Sequence, residues 1–235
     1  MQWVSKSFPK VNLKAETEPN KLKTGRAEIP ARWRVWIQVI GAYALIEAAL
    51  WTRPGGWNVF WMAAASLAIL LMVLGGPYSA REMGIALPPV KGSLWILLGG
   101  LALAATIPEL SRLLGTNQGP VHSLPFHAAW HYGVWALEQQ FILESFFYLR
   151  FESLLGAWAV PATAVLFAVV HIPNPVLVGL GFLGGLFFCE MFRRYRNLFP
   201  LGVVHAALGL TIAGSFADAV LHHMRVGIGY LMFRP

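Results

Sequence analysis

Long apolar runs, separated by short polar or Gly/Pro-rich breaks, fill the chain from about residue 33 onward. Their residues do not alternate in character as barrel strands do, and several are long enough to cross a hydrocarbon core as helices. The pattern predicts seven spans, at about 33–52, 57–75, 93–109, 126–154, 158–172, 175–192 and 199–216. Arg32, Arg34 and Arg53 bracket the first, and Pro54-Gly55-Gly56 starts the second. A loop near 110–124 carries Gly115, Asn117, Gly119 and Pro120. The fifth span stops at His171-Ile172-Pro173-Asn174-Pro175, and Arg193, Arg194 and Arg196 close the sixth. Residues 217–235 are too polar to span alone and are expected as an amphipathic helix or re-entrant segment. The fold class is therefore all-α, a polytopic transmembrane helix bundle of seven to eight spans.

Composition agrees. Of 235 residues, 57% are hydrophobic and only 12% charged, about half the charge of a soluble domain. Ten Trp and fifteen Phe suit interfacial belts and lipid-facing packing. The net charge of +7 is read as membrane orientation and not as nucleic-acid binding, because the basic residues flank apolar runs. Residues 1–31 are polar and Lys-rich, the reading for a flexible cytosolic tail whose Lys6, Lys10, Lys14, Lys21 and Lys23 act as an orientation signal, with contact to anionic headgroups as the alternative. Residues 32–235 form the embedded bundle. With the N-terminus inside, fourteen Lys and Arg fall on the cytosolic side. Only Arg53, Arg112, Arg225 and Arg234 fall outside, as the positive-inside rule requires. The single Cys189 excludes an internal disulfide and any Cys-based zinc site. Gly179, Gly181, Gly184 and Gly185 predict a close helix contact beside the sixth span.

Polar residues at bilayer depth are expensive, so they carry the information. Glu138 and Gln139 in the fourth span, His171 at the end of the fifth and His205 within the seventh stand out. His127, His131 and Trp135 share the Glu138 side of a helix; the two histidines are expected as interfacial side chains at the helix start, with a stripe lining an outward-opening polar cavity as the alternative. Glu144 lies on a different face from Glu138. Arg150 and Glu152 are expected at the cytosolic interface. Phe167 precedes His171 by one turn, so its ring would pack on the imidazole. A desolvated Glu beside imidazoles can deprotonate water. Glu138, His171 and His205 can equally ligate zinc that activates water. A proton relay in a transporter is a third use, although no internal repeat supports it.

These residues resemble the motifs of the CPBP family of intramembrane proteases, which includes type II prenyl-CAAX endopeptidases and bacteriocin-processing homologues. The similarity runs from about Trp130 to Gly209. Glu138-Gln139-Gln140-Phe141-Ile142-Leu143 matches a Glu-Glu motif with an Arg one turn on, with Gln139 for the second Glu and Leu143 for the Arg. Phe167 to His171 matches Phe-x-x-x-His. His205 matches the third motif, but its Asn position holds Gly209. Glu144 to Arg150 imitates the first motif at a shorter distance from His171. The Gln-Gln variant and the C-terminal His222–Tyr230 stretch look like a bacterial subgroup that processes proteins carrying C-terminal sorting signals. The resemblance implies about eight helices around a water-filled cavity and a protease-like core at about 126–216. It implies Glu138 as the base activating water, with His171 assisting and His205 holding the water or the oxyanion. Gln139, Gln140 or His131 would substitute for the missing groups, and no metal is favoured. It further implies a membrane-anchored protein substrate and a place in the bacterial inner membrane. The departures at Leu143 and Gly209 leave a second reading, a catalytically inactive membrane scaffold or immunity protein.

Overall fold

The computed structural model describes residues 31–86, 90–116 and 126–232; the N-terminal tail and part of the loop near 110–124 lie outside it. The order is α1 (Arg32–Trp51), α2 (Gly56–Leu74), α3 (Val90–Leu113), α4 (Phe126–Gln140), a π-helical stretch (Phe141–Tyr148) and α5 (Leu149–Leu155). Then come α6 (Ala159–Val169), α7 (Pro175–Tyr195), α8 (Leu198–Ser215), and the short α9 (Asp218–Leu221) and α10 (Gly227–Leu231). No strand occurs among the described residues. The protein is an all-α polytopic bundle.

Six stretches are long and apolar enough to cross a membrane, one of them the 41-residue run Ala129–Val169. At 1.5 Å per residue such a run is about twice the depth of a bilayer. It doubles back at Gly156, whose φ of 56° lies in the left-handed region, and α6 returns against the π-helical stretch. The expected fifth span is thus the 11-residue α6, too short to cross alone. The expected fourth span is continuous, but its middle is π-helical over Phe141–Tyr148.

Hydrogen bonds sort the helix ends into two groups. At one end Arg32 Nη2 donates to Leu154 O (3.1 Å), the Leu198 amide to Gly84 O (3.0 Å), and Asn197 Nδ2 to Ser93 Oγ (2.5 Å). At the other, Ser111 Oγ donates to Ser215 O (2.5 Å), the Gly227 amide to Ile172 O (2.9 Å), and Asn174 Nδ2 to Leu221 O (2.9 Å). The chain passes between these ends in α1, α2, α3, the α4–α5 run, α6, α7 and α8. The C-terminal piece forms short turns clamped to the second end.

The core joins Val35 and Val39 of α1, Ile69 of α2, Leu143, Phe146 and Phe147 of the π stretch, Phe167 of α6, Phe188 and Cys189 of α7, and Val204 of α8. Most remaining large apolar side chains are exposed, Leu113 at 84% and Trp57 at 71% among them. Such a surface is solvated by lipid and not by water.

Candidate active site

Asn174 opens α7: its side chain accepts from the Leu177 amide (3.2 Å), and Pro175 follows at the first helical position. This cap sets the antiparallel pairing of α7 with α6. Gly185 faces Ala164, where a Cβ would come within 2.8 Å of the Ala164 Cα. Gly181 faces His171, where a Cβ would come within 3.0 Å of Nδ1. The close contact expected from the glycines is present, and these two of the four make it. It leaves His171 room to turn inward. Its Nδ1 lies 2.6 Å from Phe167 O. A carbonyl only accepts, so the proton sits on Nδ1 and Nε2 keeps its lone pair.

Phe167 joins the two imidazoles. Its ring stands edge-on to His171 at 4.9 Å and to His205 at 6.0 Å, and Phe188 backs His205 at 5.3 Å. His171 and His205 start from different depths on the sequence reading, since one ends its helix and the other is inside one. Phe167, a turn before His171, bridges that difference. His205 Nδ1 is buried with no hydrogen-bond partner. Gly209, one turn later on α8, is covered by Tyr132 of α4, and Gly202 by Leu137.

The fourth-helix residues divide by face. Glu138 is half-buried and accepts a hydrogen bond from Ser66 Oγ of α2 at 3.2 Å. It continues a face on which His131 is exposed, Trp135 is 41% exposed and Val134 is 50% exposed. The His131 ring meets the exposed His127 at 6.4 Å. Gln139 is half-buried. Gln140 and Glu144 face the core, both at 0% exposure, and neither the Gln140 amide atoms nor the Glu144 oxygens have a partner. The contacts bring His171, His205 and Phe167 together, put Glu138 on α2, and seal Glu144 within the bundle.

Sequence reasoning misplaced Arg150. It is 1% exposed and not interfacial. Its Nε donates to Gln38 Oε1 (2.9 Å), Nη1 to Phe146 O (3.1 Å) and Nη2 to Met72 O (3.0 Å), while the guanidinium lies 3.7 Å over the Phe146 ring. Glu152 does bridge, to Arg196 (2.5 Å) and the Tyr148 hydroxyl (3.0 Å). Ser66 and Tyr132 carried no signal of their own in sequence. Glu47 of α1 did, as a carboxylate within a span; Trp51 Nε1 donates to it at 2.9 Å.

No group of three or more His, Cys, Asp or Glu placed to hold a metal ion occurs among the described residues.

Fold and site define an integral membrane protein of stacked helices with paired imidazoles in its interior. Residues 123–211 match the family described as type II CAAX prenyl endopeptidase Rce1-like. This agrees with the CPBP resemblance of the motifs, and the matched segment contains Glu138, His171 and His205. Over that segment the chain is similar to the CAAX-endopeptidase family. Neither curated proteins nor solved structures give a match.

Proposed function

We propose that the protein is an intramembrane endopeptidase that hydrolyses a peptide bond of a membrane-anchored protein in the bacterial inner membrane. The observation that carries this reading is the joining of His171 and His205 through Phe167 inside the segment that matches the endopeptidase family. Two histidines held in the interior of an apolar bundle, one with an unbonded buried nitrogen, need a use beyond packing.

Glu138 is the favoured base. It is spaced 33 residues before His171, and His171 is 34 before His205, as the resemblance implies. It is half-buried, so water can reach it, and the Ser66 hydroxyl holds one of its oxygens. As the base takes a proton from water, the water oxygen bonds to the scissile carbonyl carbon and the carbonyl π pair moves to oxygen. Collapse re-forms the carbonyl and breaks the C–N bond. The amine leaves with the proton that Glu138 held. His171, with Nε2 free to accept, assists the water. His205 lends a ring nitrogen to the water or oxyanion. The substrate enters along the His131–Trp135 face and carries a C-terminal sorting signal.

A specific observation favours a second base. Glu144 is sealed at 0% exposure with both oxygens unpartnered, an expensive placement. The variants separate the two. Purified protein in detergent is assayed on a membrane-anchored peptide with Glu138→Gln, Glu144→Gln, His171→Ala and His205→Ala. Loss of activity in Glu138→Gln, with Glu144→Gln active, fits the favoured reading. The reverse pattern assigns Glu144. Full activity in all four variants rejects this site assignment, whereas no cleavage by the wild-type protein rejects the protease reading and leaves the scaffold or immunity role.

A further inference from the structure

We propose that the Tyr132 phenol is the hydrogen-bond donor that holds the substrate's scissile carbonyl oxygen as it becomes an oxyanion; this rests on the endopeptidase reading. Tyr132 reaches from α4 across to α8. Its hydroxyl fills the space that a Cβ on Gly209 would occupy, and ring atoms follow it at 2.6 and 2.8 Å from that point. Only a glycine admits the phenol there. Gly209 lies four residues after His205, hence on the same side of α8 and about 6 Å further along its axis. The hydroxyl is therefore delivered one turn along α8 from His205 by a helix contact built around a missing side chain.

The hydroxyl has no hydrogen-bond partner among the described residues. Neighbouring hydroxyls behave differently. Thr211 Oγ1 donates to Ala207 O at 2.6 Å, and Thr163 Oγ1 to Ala159 O at 2.7 Å, satisfying themselves within their own helices. Tyr132 is half-buried, so a bound group can reach its hydroxyl. The side chain is rigid, since α4 and the glycine contact fix its ring, and its hydroxyl is unspent. A donor fixed before the reaction, in a low-dielectric site, contributes most where negative charge develops. The proton stays on the phenol; only the hydrogen bond strengthens as the carbonyl π pair moves to oxygen.

The test uses the full chain in detergent with the membrane-anchored peptide. Tyr132→Phe keeps the ring over Gly209 and removes only the hydroxyl. The expected result is a fall in kcat of about 100-fold, the usual loss for one such donor, with KM and Tm nearly unchanged. Gly209→Ala, which displaces the hydroxyl without removing it, is expected to lower kcat comparably. A peptide phosphonate that mimics the tetrahedral species is expected to bind Tyr132→Phe more weakly by a similar factor, while the product peptide binds as before. Wild-type kcat in Tyr132→Phe overturns the proposal, as does a loss of activity matched by equal weakening of phosphonate and product. His205→Ala separates the two ideas. If it retains full activity the endopeptidase site itself fails. If it is inactive while Tyr132→Phe is fully active, only the tyrosine assignment fails.

Discussion

Arg150 places a full charge inside a helical bundle, and every one of its three nitrogen positions has an acceptor on another turn or helix. Its partners are two backbone carbonyls and the Gln38 amide, with no carboxylate among them, so the charge is spread into carbonyl dipoles and the Phe146 ring. Removal takes one donor each from Gln38 Oε1, Met72 O and Phe146 O, of which Phe146 O keeps the Leu149 amide. Arg150→Ala is expected to destabilise by about 3 kcal/mol, since each orphaned buried group costs roughly 1–3 kcal/mol. A lowered Tm of the detergent-solubilised protein checks it, and Arg150→Lys, which cannot fork to three sites, is expected to fall between. The sequence showed a basic residue near a helix end and so implied an interface. It could not show that α1 and α2 close over that end. By contrast, Phe167 and His171 were readable, because a one-turn spacing puts both side chains on one helix face whatever surrounds them. Chelator treatment is expected to leave peptide cleavage unchanged, because the site's His and Glu side chains are not grouped as metal ligands. Loss with chelator and recovery with zinc would overturn that expectation.

Between Phe141 and Tyr148 the helix takes one extra residue per turn. A π-helix bonds i to i+5 and advances less per residue than an α-helix, so the faces of residues after it are rotated from those that α periodicity predicts. Arg150 shares in this rotation, and its Nη1 satisfies the Phe146 carbonyl within the stretch. Nothing in Phe-Ile-Leu-Glu-Ser-Phe-Phe-Tyr marks it, since all but Glu144 and Ser145 are apolar or aromatic and suit either helix. Deleting Leu149 is expected to turn the following residues by about 100° and detach Arg150 from Met72 and Gln38; a Tm fall at least as large as that of Arg150→Ala checks it. At the α6–α7 contact, Gly185→Ala drives a methyl against the Ala164 backbone. Overpacking of this kind costs about 1–3 kcal/mol, and a matching loss in Tm is expected. The glycine motif was readable because small residues have few other reasons to cluster in a span. Which two of the four make the contact depended on helix phase.

Across the whole molecule the two groups of helix ends sort the charges. Arg32, Arg81, Arg193, Arg194 and Arg196 gather at the end where Leu198 meets Gly84, while Arg53, Arg112 and Arg225 lie at the other. The expected orientation places the first end in the cytosol. Cys189 is fully buried, so a single added cysteine reports cleanly. Cysteine at Arg53 is expected to react with an impermeant maleimide in intact cells, and cysteine at Arg194 only after permeabilisation. At this second end Asn174 bonds Leu221 O and Arg225 O, tying the C-terminal turns beside His171. Asn174→Ala is expected to free that segment, seen as faster proteolysis C-terminal to Ser215 with the bundle intact.

The sequence by itself determined that this chain lives in lipid, where its passes begin and end within a few residues, and which side chains are too polar for their depth. Those follow from local quantities: hydropathy, spacing along one helix, and charge at the breaks. The tertiary structure decided which polar residues meet. It joined His171 to His205 through Phe167, turned Glu138 toward α2, sealed Glu144 and Arg150 inside, and laid Tyr132 over Gly209. Each of those depends on how far one helix is rotated and shifted against another. That is set by the fit of glycines against side chains and by the extra residue of a π turn, neither of which one-dimensional periodicity records.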